Sequence, residues 1–262
     1  MGPNDNSGIT GKLGLLIVFS LVFASILCFV PLGVTASTGV RFLHLAPGAG
    51  PVEIWIDGQL VKQDLEFRTN TDYVEVTPDQ HRIICKTREG PDTVVLNSLF
   101  PFRKDKEYTV AVTGGDREDL ELIYVIDNCP PTENLSQVTF TNAVPSTSPA
   151  RLEVKYGPTL YSDLAFRMGG GCRLIPPDKH LFRLTEQGSG ELIAEKELNL
   201  KPGTRHNIFA IGSEDGQGAE FLVLSKPNKP EETPKIFGIE RSVLQLFGAG
   251  LIASLVILVI GR

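Results

Sequence analysis

The chain has 262 residues, a formal net charge of −6 and 42% hydrophobic residues. This charge argues against nucleic acid as a partner, because neutralising phosphates needs a basic face. The abundant Val, Ile, Leu and Phe, broken up by 26 glycines and 18 prolines, predict an all-β fold in which short strands alternate with turns.

The N-terminal segment, residues 1–36, predicts a secretory signal peptide or a membrane helix. It is apolar from Leu13 to Val34 and ends in a small-residue triplet, which predicts cleavage after Ala36. A run of about 22 apolar residues is also long enough to span a bilayer as a retained anchor. Both alternatives place the rest of the chain on the outer face of a membrane.

The next stretch of the chain is repeated roughly one hundred residues later. The segment Val40–Gly58 returns in altered form as Val138–Gly157. Two shorter matches follow at similar spacing, Asp64–Arg68 with Asp163–Arg167 and Pro78–His81 with Pro177–His180. These matches predict a tandem duplication with a first repeat at 37–128, a linker at 129–137 and a second repeat at 138–225.

Each repeat shows the pattern of a β-sandwich. In the segment 52–57, Val and Ile alternate with Glu53, Trp55 and Asp57, which predicts a strand with one buried and one wet face. Similar short runs are separated by Pro, Asp or Gly clusters throughout. We therefore expect two tandem antiparallel, immunoglobulin-like β-sandwiches. The triplet Gly169–Gly171, which replaces Asn70–Asp72, is expected to loosen a loop.

The C-terminal end predicts a stalk and a membrane anchor. Residues 226–242 are rich in Pro and charge, which is typical of an extended stalk. Residues 243–262 contain an uncharged run long enough for a transmembrane helix. Gly248 and Gly250 are compatible with such a helix. The expected location is the cell membrane, with both repeats on the extracellular face, although a lipid-anchor signal that is later removed would look similar.

The cysteines fit an exterior location. Cys28 lies in the N-terminal apolar run, which leaves Cys85, Cys129 and Cys172 in the repeats. We predict a disulfide between Cys129 and Cys172 and a buried free thiol at Cys85, while sequence alone leaves the connectivity open. The sequon that begins at Asn134 is a glycosylation site only if the source is a eukaryote.

We predict no catalytic residue, no metal site and no cofactor. His81 and His180 occupy equivalent places after a Pro-Asp turn, which favours a structural role. His44 has Asn142 as its counterpart, and both side chains can hydrogen-bond the backbone of the following turn. The acidic tip with Asp116 and Glu118 fits a solvated turn better than a calcium loop. His206 has no Cys or His at ligand spacing.

Trp55 is the residue that most favours a binding role. It shares its strand face with Glu53 and Asp57, and Lys155 takes its place in the second repeat. An aromatic ring among carboxylates suits a glycan or peptide ligand. The alternative is that the ring packs under a loop or between the two repeats, because large aromatic side chains usually bury most of their surface.

The first repeat contains a set of spaced motifs, Arg41-x-x-His44-x-Ala46-Pro47, Pro51-Val52-x-Ile54-x-Ile56-Asp57-Gly58, Phe67, Tyr73, Pro78 and Tyr108-Thr109-Val110. Together these motifs resemble a known family, the domain of unknown function 4397. The second repeat departs further from this pattern than the first. The resemblance implies tandem β-sandwiches in secreted or surface proteins of prokaryotes, and it implies no catalytic residue.

The functional expectation is a non-enzymatic, membrane-anchored surface protein that binds an extracellular protein or glycan or builds part of the envelope. An accessory or sensor subunit of a membrane complex is one alternative. An envelope hydrolase that uses Asp116 and Glu118 is the other.

Overall fold

The computed structural model describes residues 38–87, 95–116, 118–145, 148–213 and 218–227, together with the backbone of 235–236 and 239–240. The predicted signal segment, the predicted transmembrane helix and most of the predicted stalk lie outside these residues. Within the described part of the chain, no helix has the length and apolar character needed to cross a membrane.

The first repeat forms two four-stranded sheets. Its strands are β1 (Thr38–His44), β2 (Val52–Ile56), β3 (Gln59–Leu65), β4 (Val74–Val76), β5 (Gln80–Thr87), β6 (Val95–Pro101), β7 (Glu107–Thr113) and β8 (Glu121–Ile126). Sheet A has the order β4-β1-β7-β8, and sheet B has the order β3-β2-β5-β6.

The second repeat forms the same two sheets again. Its strands are β9 (Ser136–Ala143), β10 (Ala150–Val154), β11 (Thr159–Leu164), β12 (Gly169–Ile175), β13 (Lys179–Glu186), β14 (Leu192–Asn199), β15 (Thr204–Gly212) and β16 (Ala219–Pro227). Sheet C has the order β12-β9-β15-β16, and sheet D has the order β11-β10-β13-β14. A two-stranded hairpin, β17 (Lys235–Ile236) and β18 (Ile239–Glu240), follows.

Each repeat encloses an apolar core between its two sheets. In the first repeat, Phe42 of sheet A packs in one cluster with Ile54 of sheet B. In the second repeat, Phe140 of sheet C and Leu152 of sheet D belong to the corresponding cluster. The all-β prediction is confirmed for the described residues, which form two β-sandwiches.

The sandwiches are not purely antiparallel, which corrects the sequence-based prediction. Strand β1 pairs with β7 in parallel, and β9 pairs with β15 in the same way. Parallel pairing requires a long connection between the two strands, and the five intervening strands of each repeat provide it. The alternation of apolar and polar residues determines which face of a strand is buried but not which strand lies beside it.

The glycine triplet also differs from its prediction. Gly169–Gly171 begins strand β12 and does not lie in a loosened loop. A Cβ at Gly170 would lie 2.2 Å from Cδ1 of Tyr161. Glycine is therefore needed there because the Tyr161 ring crosses directly over the strand.

The two sandwiches pack against each other through sheets A and C. Because side chains alternate along β1, Phe42 enters its own core whereas Leu43 and Leu45 point to the other side of the sheet. These two leucines belong to a buried cluster that draws on both repeats, with Ala111, Ala143, Phe209 and Ile211. The outer faces of sheets B and D take no part in this cluster.

A buried carboxylate, Asp127, joins the two repeats beside the apolar cluster. Its Oδ2 lies 3.2 Å from the Arg41 guanidinium and accepts a hydrogen bond from the Thr109 hydroxyl at 2.7 Å. Its Oδ1 accepts a hydrogen bond from the Asn207 amide of the second repeat at 2.9 Å. The Tyr73 hydroxyl donates to Oδ2 at 2.6 Å, and burial together with the charge of Asp127 raises the pKa of that phenol.

Ion pairs also join the two repeats, and they require different residues at equivalent positions of the two. Glu107 and Arg205 stand at corresponding places at the start of β7 and β15, and they pair with each other. Lys226 of the second repeat pairs with the same carboxylate. Although burial opposes its charge, these two cations lower the pKa of Glu107. Two first repeats packed in this way would instead place Glu107 against Glu107.

Two equivalent arginines reach across the contact between repeats. Arg68 pairs with Glu220 of the second repeat at 2.6 Å. Arg167, its counterpart, pairs with Asp119 and Glu121 of the first repeat, each at 3.1 Å. The repeated motif Asp-Leu-x-Phe-Arg, which was visible in the sequence, therefore marks a contact that the sequence analysis did not assign.

Candidate functional site

The outer face of sheet B presents an aromatic and aliphatic surface, which we call the Trp55 face. Burial alternates along β2, so that Ile54 lies in the core while Glu53 and Trp55 are partly buried on the other side. The register with β3, β5 and β6 defines the neighbours. The Trp55 face consists of Glu53, Trp55, Leu60, Arg82, Ile84, Lys86, Val95, Asn97 and Leu99.

The aliphatic side chains of this face are unusually open to solvent. Leu60 is 46% exposed, Val95 54% and Leu99 49%. Single exposed aliphatic side chains are normal on a protein surface, but a group of them around a tryptophan on a rigid sheet is typical of an interaction site. The register places Leu60 on one side of Trp55 and Ile84 on the other.

Charged side chains hold the Trp55 ring in place. Its Nε1 donates a hydrogen bond to Oε2 of Glu53 at 3.4 Å. The ammonium group of Lys86 lies 4.9 Å from the ring centroid, which is within cation–π range. Glu53 and Lys86 are directly opposed on β2 and β5. The face therefore combines an oriented aromatic ring with one carboxylate, the Lys86 ammonium group and the Arg82 guanidinium, which donates to the Asn97 side chain at 3.0 Å.

The equivalent outer face of sheet D is built from ion pairs. The residue in the position of Ile84 is Arg183, whose guanidinium lies 3.5 Å from Glu153 and 3.8 Å from Glu195. Lys179 of β13 and Glu197 of β14 form a further pair at 3.6 Å. These charges lie between a quarter and two thirds exposed, so water and the ion pairs both stabilise them.

The strand register corrects the counterpart of Trp55. Trp55 pairs with Ile84, and Glu153 pairs with Arg183, so Glu153 occupies the position of Trp55. Lys155, the counterpart expected from sequence, corresponds to Asp57, since both donate a backbone hydrogen bond to the equivalent strand. The two segments also align without a gap from Val40 and Val138 onward, and that alignment places Glu153 opposite Trp55.

Asp57 lies in the turn between β2 and β3. Its Oδ2 lies 2.6 Å from Nδ1 of His81, and its Oδ1 accepts a hydrogen bond from the backbone N–H of Arg82 at 2.9 Å. These two bonds lower the pKa of the Asp57 carboxyl. Of the three ligand-binding residues predicted from sequence, Glu53 and Trp55 are in direct contact, whereas the Asp57 carboxylate is engaged in its own turn.

His81 is held by the turn on both sides of its ring. Its Nε2 lies 2.9 Å from the Thr77 carbonyl oxygen. Burial disfavours the charged ring, but the hydrogen bonds of Asp57 and Thr77 outweigh it and raise the pKa of His81. His180 repeats the second contact, with Nε2 2.9 Å from the Pro176 carbonyl oxygen. These contacts match the structural role expected from the duplication.

His44 and Asn142 tie down equivalent turns. The Nδ1 of His44 accepts a hydrogen bond from the backbone of Ala46 at 3.2 Å, and its Nε2 lies 2.8 Å from the Gly50 carbonyl oxygen. Burial lowers the pKa of His44. The Oδ1 of Asn142 accepts from the backbone of Val144 at 3.1 Å. The two side chains thus make the same bond to the residue two places on.

The acidic tip between β7 and β8 is also tied to its own backbone. Oδ1 of Asp116 accepts hydrogen bonds from the backbone N–H groups of Glu118 and Asp119, each at 3.0 Å. This is the arrangement of an Asx turn. In the described part of the chain, no group of three or more His, Cys, Asp or Glu side chains is placed to hold a metal ion.

The structure joins Cys129 and Cys172 in a disulfide with a Cα–Cα distance of 5.6 Å, which is the pairing that we predicted. It connects the linker to strand β12 of the second repeat. Cys85 is a buried free thiol, and burial raises its pKa to about 12. Asn134 is exposed in the bend before β9, so its side chain is accessible.

A shallow cleft of about 340 Å³ lies between the edge strands β11 and β12. Its walls include Tyr161, Met168 and Arg173. The guanidinium group of Arg173 lies 5.0 Å from the Tyr161 ring centroid and donates to the Leu160 carbonyl at 3.3 Å. This cleft was not predicted from the sequence, because it depends on strand β12, and the glycine triplet at the start of β12 favoured a loop there.

Three solved structures resemble the chain weakly. A proposed cell adhesion protein from Bacteroides uniformis ATCC 8492 has 9% identity and a TM-score of 0.23, and the match covers 74% of this chain and 100% of that one. A family 26 carbohydrate-binding module of Amy13K from Eubacterium rectale, solved with maltoheptaose, has 7% identity and a TM-score of 0.23, with 74% and 98% covered. A proposed cell adhesion protein from Bacteroides ovatus ATCC 8483 has 7% identity and a TM-score of 0.21, with 75% and 99% covered.

No curated protein sequence matches the chain. A family model does match residues 38–149, which include the whole first repeat and the start of the second. The family is described as a domain of unknown function, DUF4397, and the match supports the resemblance found in the sequence.

Proposed function

We propose that this protein is a non-enzymatic, membrane-anchored cell-surface protein whose first repeat binds a partner through the Trp55 face. The observation that carries the proposal is the contrast between the two outer sheets. Sheet B exposes Leu60, Val95 and Leu99 around Trp55, whereas sheet D has Glu153 and Arg183 in an ion pair. When a partner covers Trp55 and excludes water from it, the ring can anchor the contact, and the polar side chains around it form a rim.

The extracellular location rests on separate observations. The disulfide between Cys129 and Cys172 fits an oxidising compartment, where such bonds persist. The apolar segment at 1–36 and the run within 243–262 are the predicted signal and anchor. Together they support a chain that holds both repeats on the outer face of a membrane.

Two other functions remain alternatives. An envelope hydrolase would need acids held apart in a cleft, and Asp116 instead accepts hydrogen bonds from its own loop. An accessory or sensor subunit would use the predicted transmembrane segment, with Gly248 and Gly250 against a partner helix. The Trp55 face favours the binding function because its residues lie on four paired strands of one sheet.

The direct test compares matched changes on the two outer sheets. The purified full chain is applied to immobilised envelope proteins and to immobilised glycans from the cells that carry it. We expect saturable binding that Trp55→Glu weakens at least roughly tenfold, the effect of losing an interface anchor. The control Glu153→Gln at the equivalent position of sheet D leaves binding unchanged. Equal binding by wild type and Trp55→Glu would contradict the proposal.

The enzyme alternative has its own readout. The same preparation is incubated with esters, peptides and glycans, and products are measured. Turnover that disappears in Asp116→Asn, with binding and fold intact, would establish the hydrolase and reject the non-enzymatic function.

A further inference from the structure

The Trp55 face is complementary to itself. In the register between β2 and β5, Glu53 stands opposite Lys86, and Trp55 stands opposite Ile84. Each pair thus joins unlike groups, a carboxylate with an ammonium and an aromatic ring with an aliphatic side chain. A face of this kind presents both halves of each contact that it could make with a copy of itself.

The register also fixes the geometry of such a contact. A two-fold axis that runs parallel to the strands, midway between β2 and β5, places β2 of one copy over β5 of the other at the same height. Glu53 of each copy then faces Lys86 of the other, and Trp55 faces Ile84. On the flanking strands, Leu60 faces Asn97, since both lie level with the central Trp55–Ile84 pair.

The chain already uses this mode of packing once. Sheets A and C meet through their outer faces, with leucines of β1 beside Phe209 of β15, and unlike charges at Glu107 and Arg205. That contact is filled by the second repeat. Sheet D offers no second apolar face, because Glu153, Arg183 and Glu195 would have to be desolvated there.

We infer that the partner of the Trp55 face is the same face of a second copy of this chain, an inference that rests on the binding function proposed above. The contact is isologous, so each residue pair occurs twice. A shifted register would lose the two Glu53–Lys86 contacts between the copies, so the charges favour the aligned one. On a membrane, anchored copies would meet at a high effective concentration.

The test uses cysteines at the predicted facing pair. In full-length chains that carry Cys28→Ser, one preparation has Leu60→Cys and another has Asn97→Cys. A short bis-maleimide reagent can span sheets about 10 Å apart. We expect the mixture of the two preparations to yield cross-linked dimer, with roughly tenfold less from either alone. The matched control is Thr159→Cys mixed with Glu195→Cys, the equivalent positions on sheet D, which should not cross-link.

Charge exchange then identifies the contact. Glu53→Lys added to both chains of the cross-linking pair should suppress dimer formation, because two ammonium groups then face each other twice. Glu53→Lys in one chain and Lys86→Glu in the other should restore it, since every facing pair is again of opposite charge. A yield that is equal in all pairings, or equal to the sheet D control, would overturn the inference.

The outcome also separates this inference from the proposed function. If no pairing cross-links while Trp55→Glu still abolishes binding to an envelope protein or a glycan, the second copy is rejected and the binding function stands. If Trp55→Glu changes neither cross-linking nor binding, both are rejected.

Discussion

The outer faces of sheets B and D have the same strand order and equivalent register, yet they present different chemistry. Where sheet B has Trp55 beside Ile84, sheet D has Glu153 beside Arg183. The cores and the contact between sheets A and C are retained in both repeats, because each repeat needs them to fold and to pack. Under the proposed function, one outer face of the duplicated sandwich stays a solvated surface while the other serves as the binding face.

The largest expected effect comes from the buried contact between repeats and not from either outer face. Asp127→Ala removes the counter-ion of Arg41 and the acceptor of the Asn207 amide. We expect a loss of about 3–5 kcal/mol in the free energy of unfolding, because a buried charge is left without its partner. Urea denaturation of the full chain measures this loss. A change below about 1 kcal/mol would show that the buried network contributes little.

Changing Trp55 on the outer face should lower the free energy of unfolding much less. Trp55→Glu introduces the residue that sheet D carries at the same register position, so the sandwich accommodates it. We expect the free energy of unfolding to change by no more than about 1 kcal/mol, which is the range of a lost exposed cation–π contact. Denaturation of this variant beside Glu153→Gln checks the prediction. A loss as large as that of Asp127→Ala would mean that Trp55 is a core residue.

The smallest effect is a pH dependence that only the first repeat should show. Since the pKa of His81 is raised, its contribution to stability is complete below the ordinary value of 6.5 and is lost as pH rises through the folded pKa. Since the pKa of Asp57 is lowered, its contribution is present above 3.8 and is lost as pH falls through the folded pKa. The pair therefore stabilises most between these values.

Asp57→Asn tests this dependence. The stability difference from wild type should be below about 1 kcal/mol, because Asp57 is half-exposed, and it should be largest between pH 3.8 and 6.5. Lys155→Gln, at the corresponding place in the second repeat, is the control and should show no such maximum. A difference that does not vary with pH would contradict the coupling of His81 and Asp57.

Much of the architecture could be predicted from the sequence. The two-residue period of Val52–Ile56 determines which side chains enter the core, and the duplication extends that prediction to β10. Strand β12 could not be predicted, because the fit of Gly170 under Tyr161 depends on a contact that only the folded chain makes. The parallel pairing of β1 with β7 was also hidden, since periodicity carries no information on neighbouring strands.

The candidate site was predicted only at its centre. Trp55 was recognisable as an aromatic residue on the wet side of a strand. Leu60, Val95 and Leu99 were not, because an exposed aliphatic residue and a core residue look alike in sequence. Their exposure becomes apparent only when the register aligns β3 and β6 beside the central strands. The motif Asp-Leu-x-Phe-Arg, which ends in Arg68 and again in Arg167, is visible in the sequence. Its repetition could have suggested a contact between the two repeats.

We propose that the Trp55 face, and not the surface of the second repeat, is the contact surface of the protein. Hydroxyl-radical footprinting measures this directly, with the full chain oxidised first on cells that carry it and then after purification and dilution. Tyr156 of the second repeat, which is 99% exposed, serves as the internal reference. We expect Trp55 and Leu99 to be protected on cells and to become reactive on dilution, while Tyr156 stays equally reactive. Equal reactivity of Trp55 in both states would contradict it.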